Sequence, residues 1–207
     1  MPSPPKSQPL DPGAPFTVDS VPTGLTVGHF WQWAHSNLLL NTLRGKLAEF
    51  IVSRALGINE PTDDAWGHAD LMLPSGVTIE VKSSAFLQSW EQSQLTPPAW
   101  KGLRSRRTAQ DDGAKWRTDD AATAKGDMLV LALFTAKDYS SANPRELAQW
   151  AFWPLLSADI LNASISLGEV ERRFRRCSYE SLAAACLELE AAVLAQRLSA
   201  GAGTNAR

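Results

Sequence analysis

Three side chains in one short stretch have the types and spacing to do phosphoryl chemistry. They are Asp70, Glu80 and Lys82, the last two flanking Val81. Residues His68 to Leu73 and Val77 to Lys82 read as two strands, parted by the turn formers Pro74, Ser75 and Gly76. In the second strand Val77, Ile79 and Val81 alternate with Thr78, Glu80 and Lys82, so Glu80 and Lys82 share a face. Pairing Leu73 with Val77 across the turn sets Asp70 directly opposite Glu80, a register that a bulge in the turn would shift. Two carboxylates and an ammonium then converge on one small patch. Like charges placed opposite one another are destabilising unless something neutralises them, and a divalent cation would do so. Hard oxygen ligands suit Mg²⁺, or Mn²⁺ in its place. Such a cation lowers the pKa of a bound water and clamps a phosphate as charge develops. A neighbouring lysine can orient or deprotonate that water, or stabilise the charge on phosphorus.

The elements that must position these residues follow from the flanking sequence. Ser36 or Asn37 can cap a helix running to about Leu56, with Leu40, Leu43, Leu47 and Ile51 as its core stripe and Gly57 ending it. Pro61 to Gly67 is a polar connector. Ser83 to about Gln94 is expected to be helical, stopped by Pro97 and Pro98. Met128 to Phe134 reads as a buried strand, and Trp150 to Leu155 as an edge strand, where Pro154 is tolerated. Ser178 caps a last helix with Leu182, Cys186, Leu189 and Val193 along one face. Trp100 to Gly126 is charged and has no clean period. The order of elements predicts one α/β domain with a mixed sheet flanked by helices.

With Asp70 followed after nine residues by Glu80-Val81-Lys82 on a hairpin, the chain resembles the PD-(D/E)xK nucleases. The stretch Ile79 to Trp90 is also similar to an uncharacterised bacterial group with that core. The resemblance spans roughly Leu38 to Leu155. It implies a restriction-endonuclease-like mixed β-sheet core flanked by helices. It implies catalytic roles for Asp70, Glu80 and Lys82, and a metal held by Asp70, Glu80 and the Val81 carbonyl. The family often has a glutamate on the preceding helix, a place matched by Glu49, and some members have a glutamine on the following helix, where Gln88 is similar. The usual proline before the aspartate is replaced by Ala69. The function so implied is a metal-dependent nuclease hydrolysing phosphodiester bonds, a DNA endonuclease of a defence or mobile-element system. The alternative is a catalytically inactive nucleic-acid-binding or protein-interaction module on the same fold.

The remaining features bound this picture. The 207 residues suffice for one domain with tails, and a hydrophobic fraction of 44% with 20% charged is that of a globular protein. Residues 1–24 are read as a disordered proline-rich arm, 25–200 as the nuclease-like domain and 201–207 as a disordered tail. The net charge of −2 excludes a globally basic nucleic-acid binder, so binding must come from local patches. Lys101, Arg104, Arg106 and Arg107 form one basic cluster and Arg172, Arg173, Arg175 and Arg176 another; each reads equally as a phosphate contact or as solvated surface. His68 shares the face of Asp70 but reads first as structural, and Asp63 and Asp64 as turn residues. Trp66, Trp90, Trp100, Trp116, Trp150 and Trp153 are expected mostly in the core or as groove walls. Two cysteines, nine residues apart, have no metal-ligand spacing, and the N-terminus lacks the apolar run of a signal peptide. A reduced, cytoplasmic protein without a membrane span is expected. Its partner would be DNA, with a homodimer or a partner protein of a defence system also open.

Overall fold

The computed structural model describes residues 8–59, 69–109 and 116–204, with side chains left out at 105–123 and 201–204. His68, Asp63, Asp64 and Trp66 lie outside the described residues, as do the side chains of Arg106, Arg107 and Trp116. The fold is α/β, built on a four-stranded mixed sheet. Its strands are β3 (Leu71–Met72), β4 (Thr78–Ala85), β8 (Met128–Phe134) and β9 (Trp150–Leu156), in that spatial order. β3 and β4 are antiparallel, β4 and β8 parallel, and β8 and β9 antiparallel. All seven residues of β8 are buried because both faces of this central strand are covered. β9 is an edge, and Pro154 sits in it without breaking a ladder on its outer side.

Period-two alternation divides the core into two layers. On one face Ile79, Val81, Met128, Val130, Phe134 and Phe152 pack against two helices, α2 (Asn41–Ala55) and α4 (Tyr179–Thr204). These helices supply Ala48, Ile51 and Val52, and Leu182, Cys186 and Val193. On the other face Leu129, Leu131, Trp153 and Leu155 meet Trp100, Leu103, Ile165 and Val170. That layer comes from β5 (Ala99–Lys101) and β10 (Ser164–Ser166), which pair with each other, and from the short α3 (Leu167–Arg173). Each fully buried large side chain contributes about 1.5–3 kcal/mol of hydrophobic stabilisation. Of the tryptophans, Trp100, Trp150 and Trp153 are core, whereas Trp90 is exposed.

Several expectations give way to tertiary context. The core-facing residues of α2 are Arg44, Ala48, Ile51, Val52 and Ser53, while Leu40 is exposed and Leu43 and Leu47 are half-buried. Of the expected stripe Ile51 is buried and Leu47 packs against the core, while Ala48 and Val52 widen the packing face. The helix does end as expected: Gly57 has φ +71°, and Ile58 N donates to Ser53 O at 2.9 Å. No helix follows the motif. β4 continues through Ser83, Ser84 and Ala85, each paired with β8, and residues 86–98 are irregular. Ladder bonds to a buried neighbour outweigh the local helical pattern there.

The region without a clean period contains a two-stranded antiparallel ribbon, β6 (Arg104–Ala109) with β7 (Trp116–Ala124), its register shifted between Ser105 and Arg107. Within the stretch expected to be a disordered arm, β1 (Pro15–Val18) and β2 (Val21–Thr26) form a hairpin through Asp19 and Ser20, both at positive φ. α1 (Val27–His35) follows it. At the other end α4 continues into the expected tail as far as Thr204.

Candidate active site

The hairpin has the register read from the sequence. Leu71 pairs with Ile79 and Met72 with Thr78, and Leu73 N donates to Val77 O at 2.9 Å. β3 is only two residues long, so Asp70 stands in a bend just before it. Continuing the register sets Asp70 opposite Glu80. The Asp70 Oδ2 accepts the Val81 N–H at 2.7 Å. A strand residue turns its N–H and C=O to the same edge, so the Val81 carbonyl faces the side on which Asp70 lies.

Glu80 is 3% exposed. Its neighbour in β8 is Leu129 and that of Lys82 is Leu131, so both point away from α2 and into the second layer. The Lys82 ammonium donates to Glu80 Oε1 at 2.5 Å. A second ammonium, Lys125 Nζ, lies 3.8 Å from the same oxygen. A carboxylate this deeply buried must be neutralised, and these two cations do so in the free protein.

Lys125 was not singled out by sequence reasoning, and neither were the two residues after it. Gly126 has φ +67°. A Cβ there would lie 3.3 Å from Glu80 N, Thr78 O and Met128 O, so only glycine lets this turn lie flat on β4. Asp127 then accepts from Thr78 N at 2.8 Å, from the Thr78 hydroxyl at 2.7 Å and from Arg197 at 2.8 Å. The signal for this turn was a Lys-Gly-Asp triplet directly before an apolar strand. It became meaningful only once that strand was known to lie parallel to β4.

The other expected site residues are placed as follows. Glu49 lies on α2, which packs on the Ile79 and Val81 face of β4, across the sheet from Glu80 and Lys82. It pairs with Lys46 at 2.7 Å. Gln88 is buried in the irregular segment after β4 and donates to Ala85 O at 3.2 Å. Its carbonyl accepts from the Tyr139 hydroxyl at 2.9 Å. It lines a cleft of 310 Å³ with Asn37, Leu39, Ser89, Trp90, Glu91 and Tyr139, separate from Glu80 and Lys82. Behind Leu39, the buried Arg44 guanidinium reaches Leu39 O and Leu87 O at 3.5 Å each, and burial pushes its pKa down. Lys101 is exposed, and Arg104 donates to Ile160 O at 2.6 Å. In the second basic cluster Arg173 pairs with Glu169 at 2.9 Å and Arg176 lies over the Trp153 ring.

Among the described residues no three His, Cys, Asp or Glu side chains group as a metal cage. The oxygen donors on and beside β4 are the Asp70 carboxylate at the Val81 N–H, the Val81 carbonyl, and the Glu80 carboxylate held by Lys82. That oxygen set fits a hard divalent cation, which commonly takes one or two carboxylates and completes its shell with water. No family model, curated protein or solved structure matches the chain. Among the described residues no helix is long and apolar enough to cross a membrane.

Proposed function

We propose that the chain is a metal-dependent nuclease of the PD-(D/E)xK type, with a restriction-endonuclease-like core, that hydrolyses phosphodiester bonds in DNA. One observation carries this reading. The Asp70 carboxylate is bonded to the backbone of the Glu80-Val81-Lys82 strand, with the Lys82 ammonium on Glu80. Asp70, Glu80 and the Val81 carbonyl would hold Mg²⁺ or Mn²⁺. When bound, the cation supplies an activated water and offsets charge on the phosphate. Lys82 is a third exposed at its side chain, so its head can meet both Glu80 and an incoming water. The second layer, closed by Trp100 and Trp153, excludes bulk solvent from beneath the strand. The β6–β7 ribbon carries Arg104 and Arg107 at register positions, with Arg106 at the register shift between them, and a ribbon of this kind suits a nucleic-acid groove. The endonucleolytic mode and a place in a defence or mobile-element system belong to the same proposal.

A second reading has its own support. Glu80 is already neutralised by Lys82 and Lys125, as in a purely structural ion cluster. On that reading the chain is a catalytically silent binding module on the same fold. Incubating the full chain with plasmid, linear and single-stranded DNA, and with RNA, in Mg²⁺, Mn²⁺ or EDTA separates the two. Cleavage that needs the cation supports the enzyme; no cleavage of any substrate at millimolar cation rejects it.

A further inference from the structure

The hairpin and helix ahead of α2 are ordered locally, yet none of their residues is fully buried. Asp19 and Ser20 turn β1 into β2, and Thr26 and His29 form a reciprocal capping box at the start of α1. Val27 N donates to Ala14 O at 3.0 Å and Gly28 N to Pro12 O at 2.7 Å, closing hairpin and helix into one unit. No side chain of β1, β2 or α1 is buried.

This unit has a sided surface. Val18 pairs with Val21, and directly opposed residues share a face. Phe16 and Leu25 lie within the register shift between Pro15 and Thr17. The hairpin thus exposes apolar side chains, with Phe16 47%, Val18 65%, Val21 65% and Leu25 60% exposed and the two valines on one face. On α1, Phe30 and Trp33 stand three residues apart on one helix face, 47% and 85% exposed. A lone two-stranded hairpin and a nine-residue helix are marginal in water without something packed on them.

We propose that this arm is a self-association surface, covered by the same arm of a second copy of this chain. Three observations select that occupant. Residues 8–35 contain no Lys or Arg, which removes the cations that nucleic acid or an anionic lipid surface would need. Aromatic side chains such as Phe16, Phe30 and Trp33 bury roughly 150–250 Å² each. The exposures above therefore leave several hundred Å² uncovered per arm, on the order of the ~800 Å² per partner of a stable interface. The apolar patch built on Val18 and Val21 can meet its own copy about a two-fold axis, where each side presents the same apolar surface. Pro15 and Pro22 interrupt the hairpin's edges, so the copies meet face to face and do not extend one sheet.

The test is the mass of the full chain in solution, by sedimentation equilibrium from low micromolar to about a hundred micromolar. Wild type is expected at twice its 22.5 kDa chain mass, and the Val18→Asp and Trp33→Asp variants at the single mass. Both variants should keep the wild-type circular dichroism and unfolding midpoint, since neither side chain belongs to the core. A wild-type monomer throughout that range overturns the proposal. So does a dimer that both variants leave intact. The result is independent of nuclease activity, because the mass is read without substrate or cation.

Discussion

The Asp70 carboxylate takes the place of a missing strand residue by accepting the Val81 N–H at 2.7 Å. The bond between Leu73 and Val77 sets the alternation of the hairpin, and Val81 is the next amide to face the β3 edge beyond Ile79. β3 has ended by then, so a side chain supplies the acceptor. A carboxylate has a second oxygen to offer a cation, so one residue serves both the fold and the proposed chemistry.

Those two duties separate by substitution. Asp70→Asn keeps an amide oxygen for the Val81 N–H, whereas Asp70→Ala leaves that donor unsatisfied at a cost of about 1–3 kcal/mol. Urea denaturation should place Asp70→Asn near wild type and Asp70→Ala clearly below it. Both should lose metal-dependent cleavage. Wild-type turnover in Asp70→Asn would remove the residue from the proposed site.

Lys82 and Glu80 are expected to fail differently. Lys82→Ala leaves Glu80 with Lys125 nearby, so the protein should fold and bind cation, with turnover down by a factor on the order of 10² or more. Glu80→Gln should fold, bind cation poorly and be inactive. Isothermal titration with Mg²⁺ and Mn²⁺ beside a cleavage assay reads both properties. A Lys82→Ala protein that cuts at the wild-type rate would end the proposed mechanism.

Gly126 holds the turn that brings Lys125 to Glu80. Gly126→Ala places a side chain at positive φ and against three backbone atoms at 3.3 Å. The left-handed conformation alone costs about 1–2 kcal/mol. Thermal unfolding should show a loss of at least that size. A neutral effect would mean that the turn does not sit on β4 as described.

Asp127 makes stability depend on acid. Burial raises its pKa, but the hydrogen bonds from Thr78 and the pairing with Arg197 outweigh this and leave it below the ordinary 3.8. A carboxylate with a lowered folded pKa contributes stability that is fully present above its unfolded value. That stability is lost as pH falls through the folded one. Asp127→Asn should therefore be less stable than wild type at neutral pH, with the gap narrowing below about pH 3.8. Urea midpoints across that range measure it; a gap that stays constant with pH would exclude Asp127 as the titrating group.

What was legible beforehand divides along physical lines. The strand Met128–Phe134 was readable to the residue, because seven consecutive apolar side chains admit little but a buried strand. Trp150–Leu155 was readable as an edge because of Pro154. The register of the hairpin was readable because turn length fixes pairing in a local hairpin. Ser83 to Gln94 misled, since its local pattern suits a helix and only the parallel neighbour β8 extends it as a strand. The ribbon β6–β7 gave no period to detect, because a two-stranded ribbon need not bury a face.

The amino-acid sequence by itself determined the local chemistry: which residues turn, which alternate, and that Asp70 stands opposite Glu80 with Lys82 beside it. Only the tertiary structure decided which charges meet from afar. Lys125 reaches Glu80 because β8 lies parallel to β4 after a long excursion, and Gly126 permits the close approach. α2 lies against the Ile79 and Val81 face of the sheet because it packs by Ala48, Ile51 and Val52, with Leu47 only half-buried beside them. Period and turn length act over a few residues and can be read along the chain. The face a helix buries and the neighbour a strand acquires depend on shapes contributed by segments far apart in sequence, and exist only once the layers have packed.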